Sequence, residues 1–180
     1  MDSTAWLRDL VKMFRMYKTL GDRAMAQIPN DAAFGAMLDP DSNSVAIIVQ
    51  HIAGNLRSRY RDFLTTDGEK PDRNRDGEFE VHGSVTRAAV LNMWDAGWAV
   101  ALTSLDALTA EDLDKTITIR GEAFLVVEAL NRSMTHTAYH VGQIVYLARH
   151  LAAPNWTSLS IPKGKSAEFS KGNFKSVLKT

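Results

Sequence analysis

The sequence contains no cysteine among its 180 residues. This absence excludes disulfides, thiolate metal ligands and cysteine nucleophiles, so any thiol chemistry has to come from a substrate. An excess of charge of one sign is missing as well, because 21 basic residues balance 21 acidic residues. Without a net charge of one sign, neither nucleic acid nor an anionic membrane is favoured as a partner.

Long apolar runs are also absent. No uninterrupted stretch approaches the roughly 20 residues of a transmembrane helix. The first residues, MDSTAWLRDL, carry an early acid and lack the basic start and apolar block of a secretory signal. These features predict a soluble, cytoplasmic protein. A length of 180 residues is typical of one domain with its own core, so a single domain spanning residues 1–180 is expected.

Apolar residues at spacings of three and four predict four long amphipathic helices. Their expected bounds are Thr4 to about Gln27, Ser42 or Asn43 to about Leu64, Ser84 to about Leu108, and Glu122 to about His150. Four such helices indicate an all-α fold, a four-helix bundle. Alternating polarity predicts two short extended segments, 78–82 and 116–120, which are expected to pair as a small ribbon.

A long, mildly acidic loop, residues 65–83, follows the second helix. Loops of this length tend to be functional or disordered. One interpretation is a solvated loop held by ion pairs, and the other is a lid over a pocket. The tail, residues 154–180, is expected to pack on the bundle and to form one short helix at 166–169. The expected ion-pair partners of the loop are three arginines of the second helix, Arg57, Arg59 and Arg61.

Two of the five histidines, His136 and His140, lie four residues apart within the stretch HTAYHVGQ of the last helix. Residues at this spacing share one helical face, so both imidazoles can turn a nitrogen toward one ion. Such a pair is also common by chance. Two histidines that are simply packed and hydrogen-bonded inside a bundle remain an alternative at this point.

His51 favours the metal interpretation. It lies on the apolar side of the second helix, where an imidazole without a partner would be costly. Three histidines on the inner faces of two helices form the kind of ligand set that helical bundles use for metals, and three ligands leave a coordination position open for water or substrate. The other two histidines are interpreted as structural, with His82 before a helix and His150 in a last helical turn.

Two polar residues share the faces of the candidate ligands. Asn55 lies one turn beyond His51, and Gln143 returns to the face of His136. Either side chain is expected to orient a ligand or to contact substrate, since metal-bound imidazoles usually donate their second nitrogen's proton to a partner.

Two glycines, Gly54 and Gly142, lie inside predicted helices, where each costs about 1 kcal/mol relative to alanine. Close approach of a neighbouring helix is the expected reason for both.

The chain also resembles a known family. A histidine midway along the second helix and HTAYHVGQIVYL on the last are similar to the DinB/YfiT-like superfamily of metal-dependent enzymes. More closely, NSVAIIVQHIAGNLRSRYRDFLTTDGEKPDRNRDGEFE and LSIPKGKSAEF resemble the DUF1572 proteins. The resemblance spans nearly the whole chain. It implies an up-down-down-up four-helix bundle, a homodimer, and a divalent metal held by His51, His136 and His140.

The resemblance leaves the reaction open, because superfamily members include thiol-dependent transferases, isomerases and hydrolases. We predict a divalent-metal-dependent enzyme, a transferase that uses a low-molecular-weight thiol on a small electrophilic substrate. The alternatives are a metal-dependent hydrolase and a metal- or ligand-binding stress-response protein without catalysis. Nickel or zinc is the expected metal, with iron or manganese as alternatives, since neutral imidazole suits several divalent ions.

Overall fold

The structure is a computed structural model in which residues 2–80 and 83–169 are described. The chain is mostly helical, as predicted, with one small two-stranded sheet. The helices are α1 (Ser3–Met25), α2 (Asp31–Phe34), α3 (Val45–Tyr60), α4 (Arg87–Asp106), α5 (Val126–Ala152) and α6 (Ser166–Phe169), the strands are β1 (Thr116–Ile119) and β2 (Glu122–Leu125), and two 3-10 turns span Gly77–Phe79 and Ala110–Asp112. Within the described residues, no helix has the length and apolarity needed to cross a membrane.

The ends of the first two long helices are set by their flanking residues. Asp2 caps α1, because its carboxylate accepts a hydrogen bond from the backbone N–H of Thr4 at 3.0 Å. The helix therefore begins one residue before the predicted start at Thr4. The next long helix, α3, ends at Tyr60 and not near Leu64, since the backbone turns to a left-handed φ of 49° at Asp62.

The sheet is a hairpin that replaces the expected start of the last helix. β1 confirms the extended segment predicted at 116–120, and it pairs antiparallel with β2. A two-residue turn joins them at Arg120 and Gly121, whose φ values are 58° and 77°. The prediction that a helix begins at Glu122 is therefore wrong, and α5 begins at Val126.

The prediction that residues 78–82 pair with β1 is also wrong. Glu78 and Phe79 belong to a 3-10 turn, and the strand that pairs with β1 is β2. Glu80 follows this turn, and the last two residues of the predicted segment, Val81 and His82, lie outside the described residues.

The four long helices share one core. α1 packs against α4 and α5, and α3 packs against the same two helices. Burial of this shared apolar surface is the main stabilising contribution to such an arrangement. The largest fully buried side chains come from all four helices and the segments between them: Trp94, Trp98, Tyr60, Phe14, Phe34, Met25, Ile28, Ile52, Leu56, Leu105, Leu130 and Ile144.

Contacts along the helices give their relative directions. Arg15 of α1 pairs with Asp106 at the end of α4, whereas Trp94 near the start of α4 donates to Asp22 of α1 at 2.7 Å, so these helices are antiparallel. At Gly97, an added Cβ would lie 2.7 Å from the Ala53 Cα, which explains the glycine by close approach of α3 and α4.

α3 and α4 run in the same direction. Gln50 and Asn92, early in each helix, line one groove between them, and Tyr60 and Thr103, late in each helix, line another. Because these pairs advance together along both helices, the two axes are parallel in sense.

α3 and α5 run in opposite directions. The Tyr60 hydroxyl at the end of α3 donates to Ser133 of α5 at 2.9 Å, and His51 in the first half of α3 faces His136. The antiparallel sense thus brings the histidines of both helices to one level of the core.

The loop after α3 is held by ion pairs, as predicted. Arg59 contacts Glu69 at 2.9 Å, and Arg61 contacts Asp72. Arg57 forms no ion pair with any residue in the described ranges. The loop also contributes Arg73 and Arg75 to the wall of the cavity that His51 and His136 line.

The tail after α5 packs back on the helices. Trp156 and Leu159 are partly buried against the core, and the backbone N–H of Thr157 donates to the side-chain oxygen of Gln27 at 2.7 Å. The short helix expected at 166–169 is present as α6. The predicted packing of the tail is confirmed for Trp156 and Leu159, and residues 170–180 of the predicted tail lie outside the described residues.

Candidate metal centre

Three histidines converge between α3 and α5. His51 is 4% exposed, and His136 and His140 are half-buried. One ring nitrogen from each of the three lies within 4.8 Å of the others, close enough for a single metal ion to bind. The ring pairs are edge-on, with centroids 4.6 to 5.2 Å apart. The sequence prediction that these three residues meet is therefore confirmed.

The closest pair has the spacing of two ligands on one ion. The Nε2 atoms of His51 and His136 are 3.2 Å apart. Two nitrogens bound to one ion at about 2.1 Å lie roughly 3.0 to 3.4 Å apart in octahedral or tetrahedral arrangements. All three side chains are imidazoles, a donor set that suits zinc, nickel, iron and copper. The residues present thus fit a divalent transition metal.

Hydrogen bonds orient two of the rings. Nδ1 of His51 donates to Glu78 at 2.9 Å, and Nδ1 of His140 donates to the side-chain oxygen of Gln143 at 2.8 Å. In the imidazole tautomer that carries its proton on Nδ1, the Nε2 atom has the lone pair that a metal needs. A carboxylate or amide behind the ring is the usual partner of a metal-bound histidine.

The protonation of the half-buried histidines also favours binding. Burial lowers the pKa of His136 to about 4, with further lowering by the nearby His140 and His51 rings. Burial likewise lowers the pKa of His140, against the opposing hydrogen bond with Gln143. Both imidazoles are therefore neutral at pH 7, and only the neutral ring binds a metal.

Glu78 belongs to a buried pair that the sequence does not reveal. Its carboxylate accepts two hydrogen bonds from Arg73, both 2.8 Å long, in addition to the one from His51. The side chains of Arg73 and Glu78 are 4% and 8% exposed. Burial alone raises the pKa of Glu78, but its contacts with Arg73 and His51 bring the pKa below the ordinary value. The carboxylate therefore stays ionised behind His51.

Gly54 makes room for this carboxylate. An added Cβ at Gly54 would lie 2.2 Å from an oxygen of Glu78, whereas a Cβ at Gly142 would meet nothing within 4 Å. The expectation that both glycines allow helices to approach is wrong: Gly54 admits a side chain from the loop, and Gly142 faces open space.

We expect Gly54→Ala to weaken metal binding without unfolding α3. The new methyl group pushes Glu78 away from His51. Affinity for zinc should then fall by about tenfold, as it does when a residue that hydrogen-bonds to a metal ligand is lost. The higher helix propensity of alanine, about 1 kcal/mol, offsets part of the lost contact. Competition with a chromogenic chelator measures the affinity, and urea unfolding measures the stability.

Gly142→Ala is the matched control for this prediction, since it makes the same change in the interior of α5. With open space around its Cβ, it should stabilise the protein by up to about 1 kcal/mol and leave zinc affinity unchanged. Equal zinc affinity in Gly54→Ala and Gly142→Ala would show that the position of Glu78 does not affect metal binding.

Asp67 anchors the loop that carries Arg73 and Glu78. Its carboxylate accepts hydrogen bonds from the backbone N–H groups of Glu69 at 2.7 Å and of Arg120 and Gly121, both at 2.8 Å. These bonds tie the start of the loop to the β1–β2 turn. They also lower the pKa of Asp67 to about 2, chiefly through the bonds from Glu69 and Gly121.

The depressed pKa of Asp67 predicts a pH-dependent contribution to stability. A carboxylate whose folded pKa lies below its unfolded value of 3.8 stabilises the fold above that value and loses the effect as pH falls toward about 2. We expect Asp67→Ala to unfold at lower urea than the wild type at pH 6, with the difference narrowing below about pH 4. A difference that is independent of pH would contradict the anchoring role.

A cavity of about 480 Å³ opens beside the histidines. His51 and His136 lie in its wall together with Asn55, Ser133 and the exposed Tyr139. Asn55 is 9% exposed and makes no hydrogen bond with any described residue, so its amide is free to contact a bound molecule. Gln143 lies behind His140, and His150 lies exposed at the far end of α5.

Searches of curated proteins and of solved structures each found no match to the chain. A family model described as "Protein of unknown function (DUF1572)" matches residues 2–165. This match covers most of the chain and includes all three histidines and the loop behind His51. The protein therefore belongs to the DUF1572 family.

Proposed function

We propose that this protein is a divalent-metal-dependent enzyme, a transferase that joins a small thiol to an electrophilic substrate. The observation that carries the proposal is the convergence of three histidine nitrogens, within 4.8 Å of one another, beside a cavity that His51 and His136 line and that could hold a small molecule. A purely structural site would be enclosed by four protein ligands, whereas three ligands beside a cavity leave a position for substrate.

The residues of the site would have different roles in this reaction. His51, His136 and His140 would hold the ion, Glu78 and Gln143 would keep two of the rings in orientation, and Asn55 would contact substrate. When bound, a divalent ion would supply positive charge that lowers the pKa of a thiol. The chain offers no cysteine, so the thiol is external. We propose nickel or zinc, with iron or manganese as alternatives.

We also propose that the protein has the DinB/YfiT-like fold, an up-down-down-up bundle. In support, α1 is antiparallel to α4, α4 follows the direction of α3, and α3 is antiparallel to α5. These three relations are those of a bundle in which α1, α3, α4 and α5 run up, down, down and up. The homodimer and the cytoplasmic location remain predictions.

A thiol panel tests the reaction. Zinc- or nickel-loaded protein is mixed with 1-chloro-2,4-dinitrobenzene and one of several low-molecular-weight thiols. In the expected reaction the sulfur–carbon bond forms as the carbon–chlorine bond breaks, chloride leaves with the bonding pair, and the thiol proton passes to the buffer. Depletion of 1-chloro-2,4-dinitrobenzene faster than the uncatalysed rate supports a transferase if this acceleration is lost in His136→Ala. Metal binding without any such turnover contradicts it, and hydrolysis of ester substrates by the same preparation would favour a metal-dependent hydrolase.

A further inference from the structure

The cavity beside the histidines has an unusual charge for this chain. The 21 basic and 21 acidic residues balance overall. Among the described residues, the cavity lining nevertheless contains no aspartate, glutamate or lysine, and it takes five arginines from four parts of the chain: Arg59, Arg73, Arg75, Arg120 and Arg132. Because α3, the long loop, the β1–β2 turn and α5 all contribute, no single amphipathic surface accounts for this concentration of positive charge.

Neighbouring carboxylates neutralise only part of this charge. Glu69 accepts hydrogen bonds from Arg59 at 2.9 Å and from Arg120 at 3.0 Å, and Glu78 accepts two from Arg73. Burial lowers the pKa of Arg59, and the nearby charges of Arg73 and Arg120 lower it further, against its contacts with Glu69. Two carboxylates thus serve three guanidinium groups that repel one another.

The other two arginines retain free hydrogen-bonding capacity. Arg75 is 3.8 Å from Asp76, whose side chain is 97% exposed, so this contact is weak. The guanidinium of Arg132 has no hydrogen bond or ion pair with any residue of the described part of the chain. Both side chains line the cavity that His51 and His136 also line. Their N–H groups are therefore available to a molecule bound beside the histidines.

We infer that this cavity binds the oxyanion group, a carboxylate or a phosphate, of a small anionic substrate, with Arg75 and Arg132 as its recognition residues. Guanidinium groups present paired N–H donors that match the two oxygens of such a group, and they remain charged at any physiological pH. The bound anion offsets the repulsion among the five arginines. This inference rests on the proposed function and adds the substrate class: the anionic end lies against the arginines, and the reactive end extends toward the histidines.

Isothermal titration calorimetry on metal-free protein tests the site without involving the metal. The probes are inorganic phosphate, succinate, and succinamide as the uncharged counterpart of succinate. We expect phosphate, succinate or both to bind with a Kd below about 10 mM, and succinamide not to bind. In Arg75→Gln/Arg132→Gln, binding should weaken by at least about tenfold, because two charge-assisted contacts are lost. Whichever anion binds more tightly identifies the oxyanion.

Arg8→Gln/Arg149→Gln is the matched control, since both side chains are exposed, lie outside the cavity lining and carry the same charge. Its affinity for the anion should stay within about twofold of the wild type. Absence of binding by both anions, equal binding of succinamide, or equal weakening in the two double variants would overturn the inference.

Metal uptake is measured separately on the same proteins, so the two proposals can fail independently. The Arg75→Gln/Arg132→Gln variant should keep its zinc affinity, since no hydrogen bond joins either arginine to a histidine among the described residues. A wild type that binds phosphate but takes up no zinc or nickel would remove the proposed function and leave the anion site standing. A wild type that takes up metal but binds neither anion would remove the anion site and leave the proposed function standing.

Discussion

His136→Ala is expected to lower the affinity for zinc or nickel by at least about a hundredfold. This loss is larger than the one that usually follows removal of a residue that only hydrogen-bonds to a metal ligand. His136 supplies the Nε2 atom that lies 3.2 Å from Nε2 of His51, the closest pair of candidate ligands. Without it, His51 and His140 remain as a two-nitrogen site, which is too few ligands for tight binding. Elemental analysis after dialysis gives the stoichiometry, and competition with a chromogenic chelator gives the affinity.

The choice of His136 separates metal loss from unfolding. Its ring is half-buried and forms no hydrogen bond with Glu78, whereas His51 is 4% exposed and is bonded to that carboxylate. Truncating His136 should therefore cost less stability than truncating His51. His150→Ala, an exposed histidine in the last turn of the same helix, is the control and should retain the metal.

This test requires protein purified without a metal-binding tag. A wild type that takes up neither zinc, nickel, iron nor manganese would reduce the three histidines to packed, hydrogen-bonded rings. Uptake that is unchanged in His136→Ala would exclude this residue as a ligand.

Helical periodicity explains why the histidines could be found from the sequence. His136 and His140 share a face of α5 because residues four apart always do, and His51 falls on the apolar side of α3. Each of these inferences uses only local spacing. That the two faces meet follows from the shared core of a helical bundle.

Glu78 could not be found in this way. It lies in a loop, 27 residues along the chain from His51, and no periodic pattern fixes where a loop side chain points. Its partner Arg73 is only five residues away, so in the sequence the two resemble an ordinary surface pair. The available signal was the glycine at position 54, whose missing side chain makes the space that Glu78 fills.

Local spacing does not reveal the hairpin either. Residues 122–125, EAFL, have no alternation and run directly into the apolar pattern of α5, so they read as its first turn. They form a strand because β1 supplies hydrogen-bond partners across the turn at Arg120 and Gly121. Pairing between segments here prevails over local propensity. The hairpin also positions Arg120, one of the cavity arginines.

Glu78→Gln is expected to have two effects, one on metal affinity and one on stability. The amide can still accept a hydrogen bond from His51, but it carries no charge to hold the ring, so zinc affinity should fall by about tenfold to a hundredfold. Arg73, which is 4% exposed, loses its charged partner at position 78, and its only remaining carboxylate contacts among the described residues are those of 3.4 and 3.5 Å with Glu69. Leaving this buried guanidinium short of a partner should lower the free energy of unfolding by about 2 to 4 kcal/mol.

The double variant Arg73→Met/Glu78→Gln separates these effects. Removing both charges of a buried pair is often neutral, so stability should recover most of the loss. Zinc affinity should stay low, because the carboxylate behind His51 is still missing. Asp76→Asn, in the same loop with a side chain 97% exposed, is the control and should change stability by less than about 0.5 kcal/mol. If zinc affinity recovers together with stability in the double variant, Glu78 acts only by holding the loop in place; if affinity stays low, it acts on His51 directly.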